Sequence, residues 1–154
     1  MDKRIESIKK TRSYLLTLIE DLNTDQLNSI PPGFNNNIIW NLGHLISAQQ
    51  GLCYLRSGLS IVIEEKFILP FKPETKPEKY LSTEDVAEIK NLLLTSLDEF
   101  NTDLQNNLFQ SYNSFLTRYG VELNTVEDAI DFLPYHEGLH AGYIMALKRA
   151  VLKA

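Results

Sequence analysis

The chain is short of positive charge, of cysteine and of long apolar runs, and each shortage excludes a class of function. Its 15 lysines and arginines are outnumbered by 20 acids, for a formal net charge of −5. A nucleic-acid partner needs a basic face to replace phosphate counterions, so neither DNA nor RNA is expected, and acidic lipid surfaces are disfavoured for the same reason. The single cysteine, Cys53, allows no internal disulfide, which suits a reducing cytosol. In the helical pattern "QQGLCYLRSG" it reads as a small core filler rather than a nucleophile. No apolar stretch approaches the ~18 residues of a membrane span. The charged opening "MDKRIESIKK" has no apolar segment behind it, so no signal peptide is expected and the location is read as cytoplasmic.

What remains is helix. The 154 residues suffice for one domain with its own core, and no internal repeat or domain boundary interrupts them. Residues 4–22 place Ile5, Ile8, Leu15, Leu16 and Ile19 near one helical stripe. Pro31, Pro32 and Gly33 break that pattern. A second helix is expected from the asparagines at 35–37, good N-caps, through "IIWNLGHLISAQQGLCYLRSG". Pro70, Pro73 and Pro77 keep the following stretch, about 58–82, from being one helix. Ser82 and Thr83 open a third helix to about Asn107. An irregular segment, with room for a short extended turn, leads into a fourth helix from "NTVEDAIDFL" to the basic end "ALKRAVLKA". Pro134 should kink or restart that helix.

The expected fold is therefore all-α, a four-helix bundle. Its long crossover between the second and third helices can run back along a helix of ~30 Å and lets those two lie parallel. Unbroken structureless links of that length are uncommon and often functional. The apolar "FILPF" within it gives a reason to expect a homodimer. The other reading folds that segment onto its own bundle.

The chain has three histidines. His136 and His140 are four apart, on one helical face with Cβ atoms about 6 Å apart, close enough to converge on one ion. His44 lies mid-way along the second helix, where Gly43, Ser47 and Gly51 leave room for another helix to approach. All three are placed where one three-nitrogen site could use them; the plain alternative is three packed core histidines. "HEGLH" also fits the H-E-x-x-H zincin pattern. No acid follows His140 to complete a gluzincin, and Gly142 falls one residue early for a metzincin, so a peptidase is not expected.

Trp40-x-x-x-His44, with His136-x-x-x-His140 followed by Gly142 and Ile144, resembles the DinB-like superfamily, also called DinB/YfiT-like metalloenzymes. The resemblance covers essentially the whole chain. It implies a four-helix bundle with a long crossover, and a divalent metal held by His44, His136 and His140; the imidazoles leave its identity open among zinc, nickel, iron, manganese and copper. Many members read His-Arg-Gly-Gln-Ile where this chain reads His140-Ala141-Gly142-Tyr143-Ile144, which changes the surroundings of the ligands and not the ligands. Characterised relatives transfer low-molecular-weight thiols to electrophiles, so the resemblance implies thiol S-transfer on a small molecule. Tyr135, Tyr143 or Glu137 would then be the proton donor or acceptor. Metal-dependent hydrolysis, with Glu137 near a bound water, and a non-catalytic metal-binding or interaction module are the alternatives.

Overall fold

Asp2 opens the first helix by accepting the N–H of Arg4, and α1 follows over Lys3–Leu18. Its buried stripe is Ile5, Ile8, Arg12 and Leu15, so a charged residue occupies a position where the period calls for an apolar one. The structure, a computed structural model, describes residues 1–153. α1 ends earlier than expected, and Asn23 and Gln26 then form a capping box that starts a short helix, α2 (Thr24–Asn28). That turn lies in the segment read from sequence as a plain break.

Asn37 caps α3 (Ile38–Gln49), accepting the N–H of Trp40, and every residue of α3 is buried. The same helix continues as a π-helical turn over Gln50–Leu55, a form that tends to mark functional sites. Ser82 caps α4 (Thr83–Gln105). A two-stranded antiparallel hairpin, β1 (Phe115–Leu116) and β2 (Glu122–Leu123), leads into α5 (Val126–Lys153). Thr125 and Asp128 cap α5 by exchanging side-chain-to-backbone hydrogen bonds. The helix neither ends nor restarts at Pro134, so of the kink or restart expected there the restart does not occur. Leu133 on one side and His136 and Glu137 on the other are buried in the same core, and that packing carries the helix through the proline.

Four helices make the bundle, with α1 and α3 at opposite corners and each packed on both α4 and α5. Hydrogen bonds fix their directions. Gln49 joins Ser96 and Tyr54 joins Asp103, so α3 and α4 run parallel, as the long crossover allows. Arg4 meets Glu127 and Lys148 meets Asp21, so α1 and α5 also run parallel.

The crossover is not structureless. It makes two 3-10 turns, Glu65–Phe67 and Leu69–Phe71, and buries Ile63, Phe67, Ile68 and Phe71 in the core around α3. Burial of such side chains contributes roughly 1.5–3 kcal/mol each, enough to hold the loop down. Of "FILPF" only Leu69 and Pro70 are exposed, so the exposed patch that suggested a dimer does not exist at this place.

The core divides into two apolar clusters, one holding Leu15, Leu45, Leu93 and Ile144 and the other Ile8, Cys53, Leu97 and Leu133. Cys53 is fully buried, and burial pushes its thiol up, as a core filler requires. One buried hydrogen-bond chain takes a polar side chain from each bundle helix: Glu137, Arg12, Ser96 and Gln49. Among the described residues no helix is long and apolar enough to cross a membrane.

Candidate metal centre

α3 and α5 cross antiparallel, which brings His44 on one face to His136 and His140 on the other. The ring centroids lie 5.2 Å apart for His44–His136, 4.7 Å for His44–His140 and 4.6 Å for His136–His140. One nitrogen from each falls within 4.8 Å of the others.

Two of the rings are fixed from behind. His44 Nδ1 donates to the carbonyl oxygen of Phe71 at 2.7 Å, and the ring stacks on Trp40 at 4.9 Å with an interplanar angle of 10°. Phe71 can reach that place because of Gly43: a Cβ there would stand 2.5 Å from the Phe71 ring. The small residue beside His44 admits the crossover, where sequence reasoning expected a helix. His140 Nδ1 donates to Asn41 Oδ1 at 2.8 Å. The amide of Asn41 is itself oriented, since its Nδ2 donates to Asn36 Oδ1 at 2.9 Å and to the Asn37 carbonyl at 2.8 Å. Both imidazoles therefore carry their proton on Nδ1 and keep the Nε2 lone pair free. Nδ1 of His136 is buried without a hydrogen-bond partner.

All three rings are held neutral. Burial lowers His136 to about 3, helped by the neighbouring His140 and His44, and lowers His140 to about 4, helped by His44. Burial also lowers His44, opposed by its bond to Phe71 and reinforced by the charge of Arg118. Three neutral imidazoles with free lone pairs are a donor set that fits zinc, nickel, copper or iron. Ligands at ~2.1 Å in a tetrahedral set stand about 3.4 Å apart, so small ring movements would close the present spacing onto an ion.

The three histidines face a cavity of about 780 Å³ lined also by Trp40, Leu52, Ile68, Phe132 and the hairpin. The other residues singled out from sequence stand elsewhere. Glu137 is 1% exposed and turned into the core, where its Oε1 accepts from Arg12 Nε at 3.0 Å and Nη2 at 2.7 Å. Burial raises its carboxyl and the Arg12 charge opposes that. Tyr135 is half exposed against Tyr119 and Phe132, and Tyr143 packs edge-on to Phe34. None of the three lines the cavity.

Sequence reasoning missed Arg12, Asn41, Phe71 and Arg118. Arg12 had a signal: it fills the empty place in the stripe of Ile5, Ile8 and Leu15. Asn41 had a weaker one, a polar residue inside an apolar helix. Phe71 and Arg118 sit in irregular segments whose path no periodicity reveals.

A search among curated proteins gives no match. The family model described as the DinB superfamily matches residues 7–144, a span that takes in all three histidines.

Proposed function

We propose that this chain, which belongs to the DinB superfamily, holds a divalent transition metal on His44, His136 and His140 and uses it to join a low-molecular-weight thiol to a small electrophile. The observation that carries this reading is the convergence of the three histidines beside a cavity of about 780 Å³, a size usual for small-molecule sites. Three neutral ligands leave an ion its double charge and an open position, a set suited to catalysis more than to structure. An ion there supplies one thing, the lowering of a thiol pKa so that the sulfur reacts as thiolate near neutral pH.

The chain supplies the rest. Phe71 and Asn41 hold two imidazoles in the ligating tautomer. The cavity's apolar wall of Trp40, Leu52, Ile68 and Phe132 holds both partners together beside the histidines. In the transfer a sulfur–carbon bond forms, the leaving group departs with its bonding pair, and the thiol proton passes to solvent. A reducing cytoplasm, where such thiols stay reduced, suits this chemistry. The position of Glu137 favours thiol over water as nucleophile, because a hydrolase needs a general base within reach of the water and this carboxylate is spent on Arg12. The size of the cavity favours an enzyme over a metal store.

Elemental analysis of untagged protein beside His140→Ala tests the site, and conjugation of small thiols to a fluorogenic alkyl halide tests the activity. Stoichiometric metal lost in the variant, together with conjugation that a chelator abolishes, is the expected result. Tightly bound metal retained by His140→Ala, or conjugation unaffected by the chelator, would overturn the reading.

A further inference from the structure

We infer that the cavity selects small organic anions, holding a carboxylate between Arg118 and Arg56 while the rest of the molecule lies toward the histidines. The cavity wall carries three cations, Arg56, Lys72 and Arg118, with Glu74 the acid among its lining residues. In a chain of net charge −5, three cations about one cavity run against the overall bias. Among the described residues none of the three stands within ion-pair distance of a carboxylate. The guanidinium of Arg56 lies over the ring of Phe115, 4.2 Å from its centroid, a cation–π contact that restrains it beside the cavity. Arg118 comes from the hairpin turn after β1, whose Phe115 carries the Arg56 contact, and lines the same cavity. A guanidinium fork matches a two-oxygen group, two of them line this one cavity, and Leu52, Ile68 and Phe132 offer a short hydrocarbon its apolar bed. An acidic protein of this kind would otherwise repel an anion; these side chains reverse the local field.

The thiol end of this inference rests on the proposed metal chemistry, and the carboxylate end does not. The test uses the metal-loaded protein and short ω-mercapto carboxylates against ω-mercapto alcohols of matched chain length. Binding is followed by the fluorescence of Trp40, the only tryptophan in the chain and a wall of the cavity. At the best length the carboxylate is expected to bind about 10- to 100-fold tighter than its alcohol. Arg118→Ala should erase most of that preference, Arg118→Lys should restore part of it, and neither should change the metal content. Equal binding of acid and alcohol at every length, or a preference that survives both Arg118→Ala and Arg56→Ala, would overturn the inference. If the wild-type protein binds no metal, the metal reading fails separately. The same comparison with thiol-free carboxylates and alcohols then decides the anion site by itself.

Discussion

Replacing Arg12 with methionine tests the role of Glu137, because it keeps the apolar stem and removes the guanidinium with its charge and its hydrogen bonds. Both side chains are essentially free of solvent, at 0% and 1% exposure. Arg12 also donates to the carbonyls of Leu93 at 2.9 Å and Leu45 at 3.1 Å, so a residue of α1 bonds to α3, α4 and α5 at once. Those carbonyls belong to helices and keep their intrahelical partners, so their loss is small. The loss falls on Glu137, whose carboxylate is left in the core without a counter-ion. Removing one member of a buried pair costs about 3–5 kcal/mol, a large part of the 5–15 kcal/mol that roughly holds a domain together. At about 2–4 °C per kcal/mol for a chain of this size, the melting temperature should fall by roughly 6–20 °C.

Urea denaturation followed by far-UV circular dichroism, with chelator present, measures this directly. Two companion results separate the mechanism from general damage. Without Arg12, burial alone acts on Glu137 and raises its folded pKa further above the unfolded value, so the mutant's deficit relative to wild type should shrink as pH falls from 7.5 toward 5. The double variant Arg12→Met with Glu137→Leu should recover most of the loss, since a buried pair replaced by apolar groups is often neutral. A single-variant loss below about 1 kcal/mol, or a double variant no better than the single, would refute the counter-ion assignment and return Glu137 to the list of candidate bases.

Gly43→Ala should weaken metal binding about 10-fold or more while leaving helix content intact, because the added Cβ displaces Phe71 and with it the acceptor behind His44. Competition with a chromophoric chelator reads the affinity, and an unchanged value would refute the role of Phe71. Asn41→Leu, nearly isosteric, should cost about 10- to 100-fold in metal affinity by freeing the His140 tautomer; a wild-type affinity would count against that anchor. The metal-free protein should lose stability as pH falls below the ordinary histidine value of 6.5, since down to about 3–4 the unfolded chain binds protons that buried His136 and His140 refuse. At pH 5 the two together amount to at most about 4 kcal/mol. A flat denaturation midpoint between pH 7 and pH 5 would show these rings to be more open to solvent than the structure has them.

The helices and their order were legible in sequence because each carries its own boundary signal: Asn37, Ser82 and Thr125 all cap where the apolar period begins. The length of the link allowed the parallel pairing of α3 with α4, and the hydrogen bonds between those helices show it. The histidine cluster was legible because the chain has no other histidines and two of them share a helical face. What the sequence did not disclose depends on long-range encounters. Pro134 forbids one local hydrogen bond, yet the tertiary packing of Leu133 and His136 decides that α5 stays whole. Glu137 shares its motif with metalloprotease bases, yet a residue 125 positions away determines where it points. "FILPF" has the composition of an exposed docking segment, and only the vacancy left by Gly43 shows that it folds inward.

The crossover packs against the face of α3 that carries His44. α3 is buried on all faces and still carries three side-chain donors at positions 40, 44 and 47, the spacing of one helical stripe. Trp40 Nε1 donates to the Pro70 carbonyl at 3.2 Å, His44 Nδ1 to Phe71 at 2.7 Å and Ser47 Oγ to Ile68 at 3.2 Å. The prolines at 70, 73 and 77 keep the loop from forming one helix, and of these three carbonyls Ile68 also accepts from the Phe71 N–H at 3.1 Å and Pro70 from Thr75 Oγ1 at 2.8 Å. The loop thus provides acceptors to a polar stripe in an apolar core, and the stripe provides donors to an irregular backbone. Because the middle bond of the three passes through His44, whatever draws on the Nε2 lone pair strengthens the donation of Nδ1–H to Phe71. The loop that walls the cavity is in this way bonded directly to His44, one of the three residues proposed to hold the metal.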